Sequence, residues 1–534
     1  MRNLFCSISL ALAACLSLTA CGGGTTADSV VVLAATESEA AGQPETVSPS
    51  SVSAVPIPEG QVAQAIGRLD AMAEDILART RVPGMAIAVV HRGETVYAKG
   101  FGVRETGQPA KVDPDTVFQV ASLSKSLAAT VVAQQVGAGT VKWETPVRTT
   151  LPWFTLADPY VSERVTIGDL FSHRSGLPDH AGDKLEDLGY GRMEVLQRLR
   201  LLPLASFRDT YEYTNFGLTT AAEAVAVAAQ RDWATLSEQA IYQPIGMAST
   251  SSRFADYKAR ANRAVTHVNV NGSYIPGQER NPDAQSPAGG VSSSANDMAK
   301  WLSFLLAGGS YGGRQIVDPA ALLPAISPQM ISGSPTSADE RAGFYGYGFN
   351  VSTSASGRAV ISHSGAFALG AATSFTAIPS ADVAIVVLTN ASPIGVPEAV
   401  AAQFSDLVQF GSVQQDWETL YRQKISPLLD PEGSLVDVAK PANPAPAQAF
   451  AAYTGTYQNA YYGPLQVVDN QGTLELRLGP QSMTFRLSHW DGDIFTFMLD
   501  NENAPPGTIS KASFSPDKVV LEFYDEHGLG SFMR

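Results

Sequence analysis

At 534 residues the chain is too long for one ordinary domain and predicts two or three. Apolar residues make up 45% and charged residues 16%, the balance of a globular protein with ample core. The net charge of −15 argues against nucleic acid or an anionic membrane surface as a partner.

All three cysteines, Cys6, Cys15 and Cys21, fall in the first 21 residues, so nothing beyond them can form a disulfide or a cysteine metal site. Arg2 and the apolar stretch Leu4 to Leu18 read as a secretory signal, too short to span a membrane. It ends in Leu18-Thr19-Ala20-Cys21, which resembles the bacterial lipobox. That resemblance implies lipidation at Cys21 and a membrane-anchored protein of the cell envelope. Leu12-Ala13-Ala14-Cys15 fits the same pattern with a shorter apolar core, and plain cleavage with free secretion shares the same layout.

Residues 22–58 are rich in Gly, Ser, Thr, Ala and Pro and read as a flexible linker. Val62, Ile66, Leu69, Met72 and Ile76 recur at helical spacing and stop before Pro83. Gly84 to His91 and Thr95 to Val103 predict two strands joined as a hairpin through Arg92-Gly93-Glu94.

Ser122-Leu123-Ser124-Lys125 then opens an apolar run to Val136. Leu123, Leu127 and Val131 form one row and Ala128, Val132 and Val136 the next, the pattern of a buried helix. An offset of three places Ser122 and Lys125 on one helical face, about 5–6 Å apart at Cβ. A serine hydroxyl attacks only when a base takes its proton, and lysine is a base only if burial lowers its pKa. Unpaired N–H groups at a helix start can hold an oxyanion. The spacing suits acyl transfer, yet the motif alone is weak. It recurs at Ser515-Pro516-Asp517-Lys518, before the alternating run Val519 to Tyr524, where it reads as a hairpin turn.

A mostly helical middle follows, visible in Leu218 to Ala229 and Asn296 to Leu306. Strands return at Arg358 to Ser364, Gly370 to Ile378 and Val383 to Leu388, the last apolar at consecutive positions and so covered on both faces. Gly308-Gly309-Ser310-Tyr311-Gly312 has the letters of a nucleophile elbow, but a helix precedes it, which makes it a turn. The carboxylates show no glycosidase pairing and the histidines no metal-ligand spacing, so no metal or other cofactor is expected. Proline and alanine mark a boundary at Pro441 to Pro446. Eight short alternating segments beyond it predict a small antiparallel barrel.

Three separated motifs, Ser122-x-x-Lys125, Tyr213-Thr214-Asn215 and His363-Ser364-Gly365, stand in one order along the chain. So do Phe171-Ser172-His173-Arg174-Ser175-Gly176-Leu177, Tyr242 to Met247, and Pro287 to Val291. In this order the set resembles the serine β-lactamase and D,D-peptidase superfamily, in its class C and D-aminopeptidase-like branch. The C-terminal segment resembles, more loosely, the lipocalin-like barrel appended to such hydrolases. The resemblance implies an α/β (α+β) fold: an antiparallel sheet flanked by helices, an inserted all-helical region, and the serine at their junction. The organisation expected is a signal peptide with lipobox at 1–21, linker 22–58, hydrolase domain 59–412, helix and Pro/Ala-rich linker 413–447, and barrel 448–534.

By position, the resemblance makes Ser122 the nucleophile, Lys125 its proton partner and Tyr213 the general base and later acid. Asn215 would hold the substrate amide carbonyl, His363 would flank the site beside Ser364 and Gly365, and the N–H groups of Ser122 and Ala366 would form the oxyanion hole. A phenol can act as a base at neutral pH only if cations such as Lys125 and a protonated His363 stabilise its anion. Taken singly, Tyr213 also fits a buried tyrosine and His363 an ordinary strand histidine, and His173 reads as a loop brace. Class C enzymes carry lysine where this chain has His363, which offers less fixed charge for a substrate carboxylate. The expectation is therefore a metal-independent peptidase or esterase acting on a small peptide or ester, ahead of a β-lactamase or a non-catalytic wall-binding lipoprotein. The sequence leaves the oligomeric state open.

Overall fold

The computed structural model describes residues 48–534; the leader expected at 1–21, with Cys21, and the first part of the expected linker lie outside the described residues. Eight strands build one sheet: β1 (Gly84–His91), β2 (Glu94–Gly102), β3 (Met330–Gly333), β4 (Gly343–Tyr345), β5 (Asn350–Thr353), β6 (Ala359–Phe367), β7 (Ala371–Ile378) and β8 (Val383–Thr389). Their order is β2-β1-β8-β7-β6-β5-β4-β3, antiparallel at every junction, so strands from both ends of the expected hydrolase domain meet where β1 pairs with β8. The β1–β2 turn is shorter than the spacing predicts. Arg92 and Gly93 alone make it, both at positive φ, and their twist matches that of the flanking strands.

β8 is buried at every residue, as consecutive apolar positions require. Ala384, Val386 and Leu388 belong to one core and Val383, Ile385 and Val387 to another, on the opposite face. The first core holds helices α2 (Leu123–Gly137), α3 (Asn215–Ala228) and α4 (Ala295–Leu306); the second holds α1 (Leu69–Thr80) and α5 (Val396–Phe410). The helical spacing from Val62 to Ile76 is split, since Gln61–Ile66 forms a short helix that closes at Gly67 before α1 begins. Trp301 of α4 is fully buried against Phe349 and Phe375, with its indole N–H donating to Thr130 of α2.

The helical region hangs on Asp169. Thr166 and Asp169 form a capping box at the helix Ile167–Phe171. The same buried carboxylate receives Arg174 at 2.8 Å and Arg208 at 2.7 Å. Burial alone would raise its pKa, but bonds from both guanidiniums and Thr166 outweigh that and hold it below the ordinary carboxylate value. The Phe171–Leu177 stretch is thereby tied to the chain that leads into Tyr213.

The C-terminal strands are antiparallel as expected, but they form two sheets, not one closed barrel. Four strands lie between Gly455 and Arg486 and five between Ser488 and Met533. The segment expected as one strand over 482–489 breaks at Leu487, whose N–H bonds back to Leu474, so the chain passes there from one sheet to the other. At the far rim a single bridge, Gln458 to Met533, joins the two sheets. Ser515 pairs with Lys518 across a two-residue turn, the hairpin expected for the second Ser-x-x-Lys copy. Ser310–Tyr311 and Arg314–Gln315 flank the glycine-rich turn, with no elbow. From Pro49 to Arg534 the chain packs as one unit, and Tyr457, Leu476, Phe495 and Phe532 join the core that contains α2. Among the described residues no helix is long and apolar enough to cross a membrane.

Replacing Asp169 with alanine removes the buried carboxylate that two arginines share. The expected cost is about 2–4 kcal/mol, the upper end moderated because Arg208 is half-exposed. Thermal or urea unfolding of Asp169→Ala measures it, and because the folded carboxyl titrates below its unfolded value, the wild-type advantage should fade as pH drops below about 4.

Candidate active site

Ser122 sits at the start of α2, after Ala121 at φ 47°, a left-handed turn that swings the chain out of the short strand Phe118–Gln119. The turn is fastened on three sides. The Val120 N–H donates to the Val291 carbonyl at 3.0 Å, Thr373 of β7 donates to the Val120 carbonyl at 2.8 Å, and Ser124 donates to the Ala121 carbonyl at 2.6 Å. Gly365 of β6 lies directly over it: a methyl there would come within 2.4 Å of the Val120 oxygen and 2.9 Å of the Ser122 nitrogen. The strand approaches the serine only because residue 365 has no side chain.

Lys125, one turn on, is completely buried. Its Nζ donates to Ser122 Oγ at 3.0 Å, to Asn215 Oδ1 at 2.7 Å and to the Ala288 carbonyl at 3.0 Å. Burial pushes its pKa down to about 7; Asp183 resists that shift and Arg280 adds to it. Tyr213 completes the group, with Ser122 close enough to its hydroxyl to favour the phenolate and its ring 4.5 Å from Lys125 Nζ. The structure thus brings Ser122, Lys125, Tyr213 and Asn215 together from two helices and a loop.

The charge states differ from the expectation. Burial holds the Tyr213 phenol above its ordinary value, and the neighbouring Ser122 only partly opposes that, so the phenol is neutral at physiological pH. His363 is not a cation either. It accepts from the Tyr345 hydroxyl at Nε2 (2.8 Å) and donates from Nδ1 to the Ser364 carbonyl (2.6 Å), a neutral imidazole. Burial first, then the charge of Lys125, pushes its pKa down to about 3. An ammonium that has lost one proton resolves the arrangement: –NH2 still donates to Asn215 and Ala288, and its lone pair accepts from Ser122 O–H.

Asn215 is also committed. Its Nδ2 donates to Asp183 at 2.8 Å, and Asp183 pairs with His180 at 2.9 Å. Burial lowers the His180 pKa, but Asp183 outweighs it and the imidazole is held at about 9, hence protonated. Asp183 and His180 carried no motif in the sequence. Tyr345 lies in Phe344-Tyr345-Gly346-Tyr347-Gly348, whose aromatic–glycine alternation was the one signal available. His173 acts as a brace: it accepts the Thr214 N–H at Nδ1 and the Glu212 N–H at its carbonyl, one on each side of Tyr213.

A cavity of about 1080 Å³ opens at Ser122, with Ser364 and Ala366 on its wall. Its roof comes from the C-terminal part, where the hairpin tip Glu502-Asn503 reaches in. Glu502 accepts the N–H groups of Ala368 (3.1 Å) and Leu369 (3.2 Å) and pairs with Arg280 at 3.0 Å. Asn503 donates to Asp187 at 2.8 Å.

Residues 69–410, more than half the chain, match the Beta-lactamase family, and residues 439–529 match a domain of unknown function (DUF3471). The chain is similar to unguisins hydrolase ungD of Aspergillus violaceofuscus, 29% identical over 249 residues that cover 42% of each protein. It is also similar to the D-alanyl-D-alanine-carboxypeptidase/endopeptidase AmpH of Escherichia coli, 26% identical over 267 residues, 48% of this chain and 66% of AmpH. The matched regions therefore span 42% and 66% of the length of these two relatives. An octameric penicillin-binding protein homologue from Pyrococcus abyssi shares the fold, with a TM-score of 0.58 at 19% identity, covering 88% of this chain and all of that one. Sequence and fold thus agree with the geometry around Ser122, and the chain belongs to the beta-lactamase family.

Proposed function

We propose that the protein is a serine hydrolase that forms an acyl-enzyme at Ser122, acting on peptide or other amide substrates and on esters. The observation that carries this is Lys125: a fully buried amine, pKa about 7, held 3.0 Å from a serine hydroxyl by two other acceptors. The neutral amine takes the Ser122 proton as Oγ attacks the carbonyl carbon. The N–H groups of Ser122 and Ala366 would receive the oxyanion. Tyr213, neutral and beside Ser122, passes a proton to the leaving group as the acyl-enzyme forms, with Lys125 resupplying it. Water reverses the sequence. His363 acts through position, fixing the start of Ser364-Gly365-Ala366.

With no fixed cation at residue 363 to hold a substrate carboxylate, peptide or ester hydrolysis is favoured over β-lactam turnover. The similarity to AmpH supports the peptidase side, in the manner of a D,D-carboxypeptidase or D-aminopeptidase. Leu18-Thr19-Ala20-Cys21 supports a lipid anchor and a place in the bacterial envelope.

Ser122→Ala should abolish labelling by a fluorophosphonate and lower kcat by about 10⁴-fold or more, whereas retained labelling would exclude this serine. Lys125→Arg keeps a cation that cannot lose its proton and should cost about 10²–10⁴-fold in kcat/KM. In the wild type the ammonium form lacks a base, so kcat/KM should rise with pH through about 7 and level off above it; a flat profile from pH 5 to 9 would remove Lys125 as the base. D-alanyl peptides and nitrophenyl esters should be turned over faster than a chromogenic cephalosporin. Cys21→Ala should shift the protein from the membrane to the soluble fraction and prevent incorporation of labelled palmitate.

A further inference from the structure

Four side chains form a line from the cavity wall to the reactive amine. His180 Nδ1 donates to Asp183 Oδ2 at 2.9 Å, Asn215 Nδ2 donates to the same oxygen at 2.8 Å, and Lys125 Nζ donates to Asn215 Oδ1 at 2.7 Å. The proposed chemistry uses neither Asp183 nor His180. Asp183 is only 2% exposed, and its other oxygen, also buried, has no hydrogen-bond partner among the described residues. A buried oxygen without a donor is costly, so the two bonds that the carboxylate does make have to account for it. It reaches Asn215 because Gly182 before it takes φ 94°. A methyl at residue 182 would come within 2.7 Å of Val195 and 2.9 Å of Phe216, the residue after Asn215.

A carboxylate can only accept, and that decides how Asn215 is turned. With Nδ2 committed to Asp183, the amide presents its oxygen to Lys125. The neutral amine then spends its two N–H groups on Asn215 and the Ala288 carbonyl, which leaves its lone pair to Ser122. Turned over, the amide would offer an N–H to that lone pair and set its own oxygen against Asp183. Charge acts along the same line. Asp183 favours the Lys125 ammonium, whereas the His180 imidazolium and the ammonium repel each other. The other charges close by have partners of their own: Arg280 with Glu186 and Glu502, and Glu526 with Lys184, while Asp179 lies 3.8 Å from His180. Tyr213, Tyr461, His173 and His363 also face this group, and burial holds each of them neutral.

We infer that Asp183 is a positioning residue for acyl transfer: acting through Asn215 it turns the Lys125 lone pair onto the Ser122 hydroxyl, and His180 is the counter-charge that keeps Asp183 from holding the amine as an ammonium. This rests on the proposed reading of Lys125 as the base for Ser122 and adds to it a pair of residues that touch neither the substrate nor the serine.

The test is the pH dependence of kcat/KM for nitrophenyl acetate in the wild type, Asp183→Asn and His180→Gln, with active sites counted by fluorophosphonate labelling. Asp183→Asn keeps the shape but removes the charge and, since an amide can donate as well as accept, no longer forbids the turned-over Asn215. Its plateau should fall at least tenfold. The midpoint of its rise should move to lower pH by about half a unit or more, because the ammonium has lost an anion that favours it. His180→Gln can still donate to Asp183 but leaves that anion uncompensated, so its midpoint should move to higher pH. Displacements of opposite sign follow from charge; a merely structural role would lower the rate and leave the midpoint alone. Midpoints that stay at the wild-type value, or that move the same way, would overturn the inference whatever the loss in rate. If Asp183→Asn does not fold, His180→Gln decides, since His180 is half-exposed on the cavity wall; an unmoved or lower midpoint there defeats the inference. A wild-type profile that rises through about 7 while the variants' midpoints stay put removes only the role of Asp183. A flat wild-type profile removes Lys125 as the base and this inference with it.

Discussion

The arrangement around Ser122 depends on one amine being kept dry. A lysine ammonium with no exposed surface would be a large liability unless its charge were matched, and no carboxylate touches it directly. Instead a side-chain amide and a peptide carbonyl accept from it, both able to serve the neutral form equally well. The cost of burial is relieved by letting a proton go, and the lone pair that results has only the serine hydroxyl to face. Each neighbouring element has a task in this: α3 brings the amide, the Ser286–Gly289 turn brings the carbonyl, and β6 closes the top through a residue with no side chain.

Much of this was readable in the letters because it obeys periodicity. The i, i+3 offset of Ser122 and Lys125, the all-apolar faces of α2 and the doubly buried β8 follow from helix and strand geometry with no knowledge of the partner elements. The protonation states were not readable, since they depend on burial and on contacts between distant residues. His363 looks like a cation in a motif, and only the Tyr345 hydroxyl and the Ser364 carbonyl show that it is a neutral link. Asp183 lies in a segment with no motif at all; its significance comes from where the chain folds it. The C-terminal strands were visible as alternation, but the break at Leu487 that divides them into two sheets is a matter of which neighbour each backbone group finds.

Two hydrogen-bonded carboxylates divide the labour of shaping the cavity. Glu502 is engaged at both oxygens, by Arg280 and two backbone N–H groups, and so acts as a rivet between the C-terminal hairpin and the β6–β7 turn. Asp183 is half taken up, holding Asn215 against Lys125 while pairing with His180. The polar groups nearest the serine are thus rigidly committed before any substrate enters, which lowers the reorganisation required when charge develops on the reacting carbonyl.

The roof over Ser122 is supplied by the chain beyond α5. Without it the reactive hydroxyl, the amine and the phenol would still be in place, but the cavity would lose one wall and Arg280 would keep Glu186 alone as its ion-pair partner. The two jobs are thus divided along the chain: one stretch makes the reactive centre and the other fixes how much room stands in front of it.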